Sequence, residues 1–300
     1  MTKIPTLKTS DGLVPAFEII EPSEPTIPFV FCSPHSGRDY PSELMAATRL
    51  GREAIRRSED IFVDDLFAFV PSFGAPMLRA RFPRAYLDVN REPFELDPKM
   101  FSDALPGFVN SASLRVAGGL GTVPRIVAEN EEIYRGMMPV ASAMRRIDAI
   151  YRPFHQALET LLARTRAEFG FAILIDCHSM PSSVRALPGG RRPDIVIGDR
   201  YGTSASSRFV AMATSQLTTF GFDVARNKPY AGGYITENYG RPGHGFHAIQ
   251  IEINRGLYAD ESTFRPHRGF LRLKEQLTRF VEGFAADVAA ESQSRPAAAE

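Results

Sequence analysis

The apolar residues of this chain gather into six short runs of strand length, at 29–33, 76–81, 85–89, 172–177, 194–198 and 248–254. Longer stretches with helical periodicity separate them. Residues 125–169 contain little glycine and are interrupted near Pro139 and Pro153, which predicts two or three helical pieces. A further helix is expected over 204–220, opened by a Gly-Thr-Ser signal and closed by Gly221. A last amphipathic stretch covers 261–289. Strands alternating with helices predict an α/β fold, a single three-layer α/β/α domain over residues 1–300 with a mixed, mostly parallel central sheet. Residues 1–12 and 291–300 are expected to be peripheral or frayed. In such sheets ligands bind beyond the carboxyl ends of the strands, so the polar residues that follow each run carry the interest.

Composition narrows the class. With 44% hydrophobic and 23% charged residues, a chain of 300 residues buries an ample core. Lys+Arg and Asp+Glu balance at 35 each, so no overall positive field gathers nucleic acid. Two cysteines do not make a disulfide framework, and they fit a reducing compartment. No segment approaches the ~18 consecutive apolar residues of a membrane span, and "MTKIPTLKTSDG" lacks the apolar stretch of a secretory signal. The expectation is a soluble, cytoplasmic protein with no nucleic-acid or membrane partner.

The run at 29–33 drives into "SPHSG": Pro34 stops the strand and Gly37 allows a sharp turn, which sets His35 at the strand's carboxyl end. "ILIDCHSMP" repeats the device with His178 ahead of Pro181. One such histidine is a turn residue that caps backbone groups. Two delivered in the same way suggest a shared metal, and imidazole suits zinc. A catalytic zinc takes three protein ligands and keeps a position for water. The third is sought in "RRSEDIFVDDLFAF", where Glu59, Asp60, Asp64 and Asp65 stand. Spacing does not choose among the four, and acidic residues at a helix start also complement its dipole.

Two further clusters follow apolar runs. In "RAYLDVNREPFE", strand alternation puts Asp88 and Asn90 on one face, with Arg91 at the end. An Arg beside an Asn suits an anionic, amide-bearing substrate, while an Asp–Arg pair closing the turn before Pro93 accounts for the same residues. In "HAIQIEIN", Ile249, Ile251 and Ile253 share one face and Gln250, Glu252 and Asn254 the other. A solvated edge strand is the simpler reading of that pattern. The functional one aims Glu252 into a cleft as a proton acceptor. The glycine-rich residues 231–245 lack the lysine and spacing of a phosphate loop and read as a cover or a long turn. Cys177 and His178 point to opposite faces, which argues against a cysteine nucleophile, and no G-x-S-x-G occurs. Cys32 and Cys177 read as small apolar fillers, His155 as a core or surface histidine, and His267 as solvent-facing.

Taken in order, "SPHSGRDYP", "EDIFVDDLF", "RAYLDVNR", "YRPFHQAL", "LIDCHSMPS", "DIVIGDRYGTS", "NKPYAGGYIT" and "HAIQIEINRGLYADE" resemble the N-formylglutamate amidohydrolases, a family related by fold to zinc carboxypeptidases and aspartoacylases. The resemblance covers most of the chain. It implies hydrolysis of N-formyl-L-glutamate to formate and glutamate, late in histidine degradation, with Zn2+ as cofactor and a small N-acyl amino acid as partner. It implies His35 and His178 as zinc ligands and picks Asp60, ahead of Glu59, as the carboxylate ligand. Arg91 with Asn90 match the position that holds a substrate carboxylate, and Glu252 matches the general base. A substrate with two carboxylates calls for a second cation, with Arg84 the first candidate and Arg185 and Arg255 after it. Asp176 is placed to orient a ligating histidine or to cap the strand turn. Phe62 stands where many relatives carry a polar residue, a departure that bears on substrate preference more than on the metal. A zinc deacylase for a larger acyl group and a non-catalytic binder of acidic amino-acid derivatives are the alternatives.

Overall fold

The computed structural model describes residues 4–128, 131–184, 186–190 and 192–294. Seven strands form one sheet: β1 Phe17–Ile20, β2 Phe29–Ser33, β3 Met77–Ala80, β4 Ala172–Met180, β5 Ile195–Gly198, β6 Val224–Arg226 and β7 Phe246–Asn254. Their order is β6-β5-β7-β4-β2-β3-β1. β4 runs parallel to β2 and to β7, β5 runs parallel to β6, and β7 runs antiparallel to β5. This is the mixed α/β architecture expected from the alternation of strands and helices. Among the described residues no helix is long and apolar enough to cross a membrane.

Backbone packing groups the chain into two compact units. One holds the chain up to Ile19, Ser33–Ile61 and Leu78–Thr160, and the other holds Ile20–Cys32, Phe62–Met77 and the chain from Leu161 onward.

In the second unit the register of β2, β4 and β7 sorts the side chains by face. Phe31, Ile175 and Ile249 share one face, and Cys32, Asp176 and Gln250 share the other. The apolar face is covered by the helix Gly269–Ser294, whose Phe284 stacks on Phe29 at 4.9 Å, and by Phe67, 5.8 Å from Phe31. Burying each such ring contributes about 1.5–3 kcal/mol. The helix starts later than its periodicity suggests because Ala259–Asp260 and Arg265–Pro266 pair as a short ribbon first. Helix Ser207–Thr219 is followed by Gly221 at φ 85°, the left-handed stop that glycine permits. Residues 231–245 form neither a simple cover nor a plain turn. They include the helix Tyr234–Tyr239, packed against β7 and β4.

In the first unit Thr6–Thr9 pairs with Gly12–Pro15 as a hairpin, and Leu7 is buried, so order begins within the stretch expected to be peripheral. The strand expected at 85–89 is absent. Tyr86 donates its amide to Pro83 and Asp88 donates its own to Thr122, so the segment is a buried turn. Its apolar residues report burial rather than a pleat. The helical stretch is also more continuous than two prolines suggest. Val140–Arg146, a π-helical turn Ile147–Tyr151 and Arg152–Phe169 follow one another without a break. Pro139 caps the start, and Pro153 sits just after the π turn, whose wider winding tolerates a missing N–H. Before Pro139, residues Ile126–Ala128 and Glu131–Glu132 are strands, not helix.

Candidate active site

His35 lies two residues past β2 and is 1% exposed. The turn that carries it passes so close to Phe82 that a Cβ on residue 37 would overlap the Phe82 carbonyl oxygen. Gly37 is therefore required for close approach, in addition to any freedom of turn it provides. His35 Nε2 donates to Asp88 Oδ1 at 2.7 Å, and Nδ1 lies 3.4 Å from Asp60 Oδ2. The Asp60 amide donates to the His35 carbonyl at 3.0 Å, which ties the two residues through the main chain as well. Neighbouring Glu59 is committed elsewhere: it accepts from Tyr40 Oη at 2.5 Å and from Arg56 Nε at 3.1 Å. Burial pushes its carboxyl above the ordinary range, against the pull of Tyr40 and Arg56.

Asp88 is the hub of this part of the structure. Its Oδ2 accepts from Arg84 Nε and Nη2 at 3.1 and 3.0 Å, and Arg91 Nη2 stands 3.5 Å away. The Asn90 amide donates to Oδ1 at 2.9 Å. Burial by itself would raise the carboxyl, yet Arg84, Arg91 and His35 hold it well below the usual carboxylate range. Arg91 is buried, which pulls its guanidinium down to about 10. Its Nε donates to the Leu120 carbonyl at 2.8 Å and its Nη1 to that of Asn90 at 2.7 Å. Two residues of the "YRPFHQAL" stretch brace this loop. Tyr151 Oη donates to the Arg91 carbonyl at 2.6 Å, and His155 Nε2 to that of Val89 at 2.9 Å. His155 is thus a core histidine.

The second group lies on β4 and β7. β4 continues beyond the apolar run to Met180, so His178 sits within a strand rather than in a turn. Its Nε2 is 3.0 Å from Asp176 Oδ1, and Asp176 Oδ2 accepts from Thr236 Oγ1 at 3.1 Å. Cys177 faces the other way, and burial pushes both its thiol and that of Cys32 up, which suits fillers and not nucleophiles. Glu252 stands in register beside His178. The edge-strand reading of its segment fails, because β7 lies between β4 and β5 and Glu252 is buried. Gln250 Nε2 donates to Glu252 Oε1 at 2.9 Å, and the Gly233 amide donates to Gln250 Oε1 at 2.8 Å. The glycine-rich segment therefore anchors the residue that anchors Glu252. Arg255 is buried and donates through Nε to Ser179 Oγ at 3.0 Å. Phe62 takes a left-handed conformation, φ 58°, with its ring edge-on to Phe270. His267 is exposed as expected, and Arg185 lies outside the described residues.

Among the acidic candidates, only Asp60 joins the histidines in the metal-compatible group found among the described residues. One ligand atom from each of His35, Asp60 and His178 lies within 4.8 Å of the others, and all three residues are buried. Two imidazoles and a carboxylate are a donor set that zinc accepts in catalytic sites, and a carboxylate stands beside one nitrogen of each ring. The residues fit the ion.

Residues 27–259 match the family model for N-formylglutamate amidohydrolase. The chain belongs to this family. The N-formylglutamate deformylase of Pseudomonas aeruginosa is 30% identical over 247 residues, 81% of this chain and 86% of its own. That of Pseudomonas putida is 28% identical over 242 residues, 79% of this chain and 83% of its own. A crystal structure of N-formylglutamate amidohydrolase from Ralstonia eutropha JMP134 superposes with a TM-score of 0.85 at 33% identity, covering 92% of this chain and 99% of that one.

Proposed function

We propose that the protein is a zinc-dependent amidohydrolase that cleaves the formyl amide of N-formyl-L-glutamate to formate and glutamate, as a cytoplasmic step of histidine degradation. The observation that carries this reading is the convergence of His35, Asp60 and His178, in a chain whose family relatives are named for that reaction. Held by these three residues, zinc would supply Lewis acidity, lowering the pKa of water to about 7 and polarising the formyl carbonyl. Glu252 takes a proton from the attacking water on its carboxylate and returns it to the leaving amine nitrogen. Gln250 fixes the orientation of that carboxylate. Arg84, Arg91 and Asn90 meet the substrate's carboxylates, with Arg255 as a further cation. Since Arg91 Nε and Nη1 already serve main-chain carbonyls, its contribution comes from Nη2 and from its charge.

A hydrolysis panel of N-formyl-, N-formimino- and N-acetyl-glutamate, run with and without a chelator, tests the reading. Chelator-sensitive turnover strongest on the formyl compound is expected. Preference for N-acetyl-glutamate would shift the substrate, and turnover indifferent to thorough metal removal would defeat the zinc assignment.

A further inference from the structure

Away from the catalytic centre, the first unit holds a cavity of about 300 Å3 with Arg146 and Glu43 in its wall. A second cavity of about 300 Å3 shares the same pair. The Arg146 side chain is 6% exposed. Its guanidinium carbon lies 4.1 Å from the centre of the Tyr86 ring, and Nη1 donates to the Tyr86 carbonyl at 3.1 Å and to Tyr134 Oη at 2.8 Å. The edge formed by Nε and Nη2 matches the two oxygens of a carboxylate, the arrangement of the strongest arginine pairs. That edge is only half used. Nε donates to Glu43 Oε1 at 3.3 Å, while Nη2 makes no hydrogen bond among the described residues. Glu43, on the short helix Ser42–Ala47, is a loose occupant with its side chain 58% exposed. Its Oε1 also accepts from Tyr86 Oη at 2.6 Å. Burial holds the Tyr86 phenol above its ordinary range, so it stays a donor. Lys8 and Arg145 line the first cavity too, which sets three cations against one acid.

We propose that this cavity is a second binding site, for a small carboxylate with an apolar body, in which the ligand's carboxylate displaces Glu43 from Arg146 and Tyr86. Its two oxygens take Nε and Nη2 together, and one of them accepts from Tyr86 Oη. The ligand thereby completes the guanidinium edge that Glu43 meets at one nitrogen only. The apolar body lies against Leu7, Pro41 and Ile150, all buried. Turning Glu43 outward costs little, because its carboxylate is already largely hydrated and an ion pair this exposed is weak. The cavity is at the small end of those that hold ligands, so the occupant is compact. None of these residues belongs to the metal-compatible group, and the inference stands apart from the zinc and substrate readings above.

Benzoate is the probe, titrated calorimetrically into the full chain, with neutral benzamide as its control. Benzoate is expected to bind with a dissociation constant of about 1 mM or lower, and benzamide not to bind. Glu43→Ala removes the competing carboxylate and should tighten benzoate several-fold. Tyr86→Phe keeps the ring over Arg146 but loses one donor, and should weaken benzoate about tenfold or more. His178→Ala, in the catalytic centre, should leave the affinity as it is. A wild type without saturable benzoate binding overturns the proposal, as does benzamide binding equally well. Loss of binding in His178→Ala would return benzoate to the catalytic centre and overturn it too. Glu43→Ala alters an exposed side chain and decides the displacement even if Tyr86→Phe does not fold: affinity no higher than that of the wild type overturns it.

Discussion

Glu252 is buried on an interior strand, level with His178 and oriented by Gln250. A glutamine there keeps the shape and cannot accept a proton from water. Glu252→Gln is accordingly expected to retain zinc and lose about 10²–10⁴-fold in turnover, read as kcat beside the metal content of the same preparation. His178→Ala should lose the metal itself. Gly37→Ala acts by another route: the new methyl meets the Phe82 carbonyl, which is backbone and cannot swing aside. A loss of about 1–3 kcal/mol in urea unfolding is the expected result. The histidines were legible in the sequence because each follows an apolar run. The choice between Asp60 and Glu59 was not legible in spacing. What sets the two apart in the structure is that Tyr40, nineteen positions from Glu59, occupies that carboxylate together with Arg56. Asp88 was visible as a partner of arginine, but its bond to His35 spans 53 positions and no local pattern reports it.

Buried strands announce themselves as apolar runs, which is why β2, β3, β4, β5 and β7 were readable. The same logic misplaces 85–89, where apolar side chains are buried in a turn. Alternation in β7 was readable too, but it cannot tell an edge strand from a central one, since a polar face lines a site as well as it meets solvent. β7 also holds His247, packed 4.8 Å from the Phe209 ring of helix Ser207–Thr219, with the Ser206 amide donating to its Nδ1. Burial, with Arg208 nearby, pulls its pKa down from 6.5 to about 4. Between those values the unfolded chain binds a proton that the folded one refuses, so stability falls as pH drops from 6.5 toward 4 and this contribution levels off below. His247→Gln removes that slope. The acid arm of the stability curve should flatten by about 1–2 kcal/mol across this window, allowing for partial solvent screening, as measured by urea unfolding at a series of pH values.

For the whole molecule, the alternation of strands and helices identified the fold class, while strand order was beyond reach. β7 inserts between β4 and β5, and that choice is made by pairing between residues far apart in sequence. The proposed ligands are equally scattered along the chain, at 35, 60 and 178. An unfolded chain does not hold three such points together, so zinc that binds them binds the folded state and stabilises it by mass action. With free metal at 100 times its dissociation constant, the gain is about 2.7 kcal/mol. At about 2 °C per kcal/mol for a chain of this size, chelation should lower Tm by about 5 °C. Restoring zinc should restore Tm, and His178→Ala should show neither change. A zinc-containing preparation whose Tm ignores the chelator, while the ion is verifiably removed, would place the metal somewhere other than these three residues.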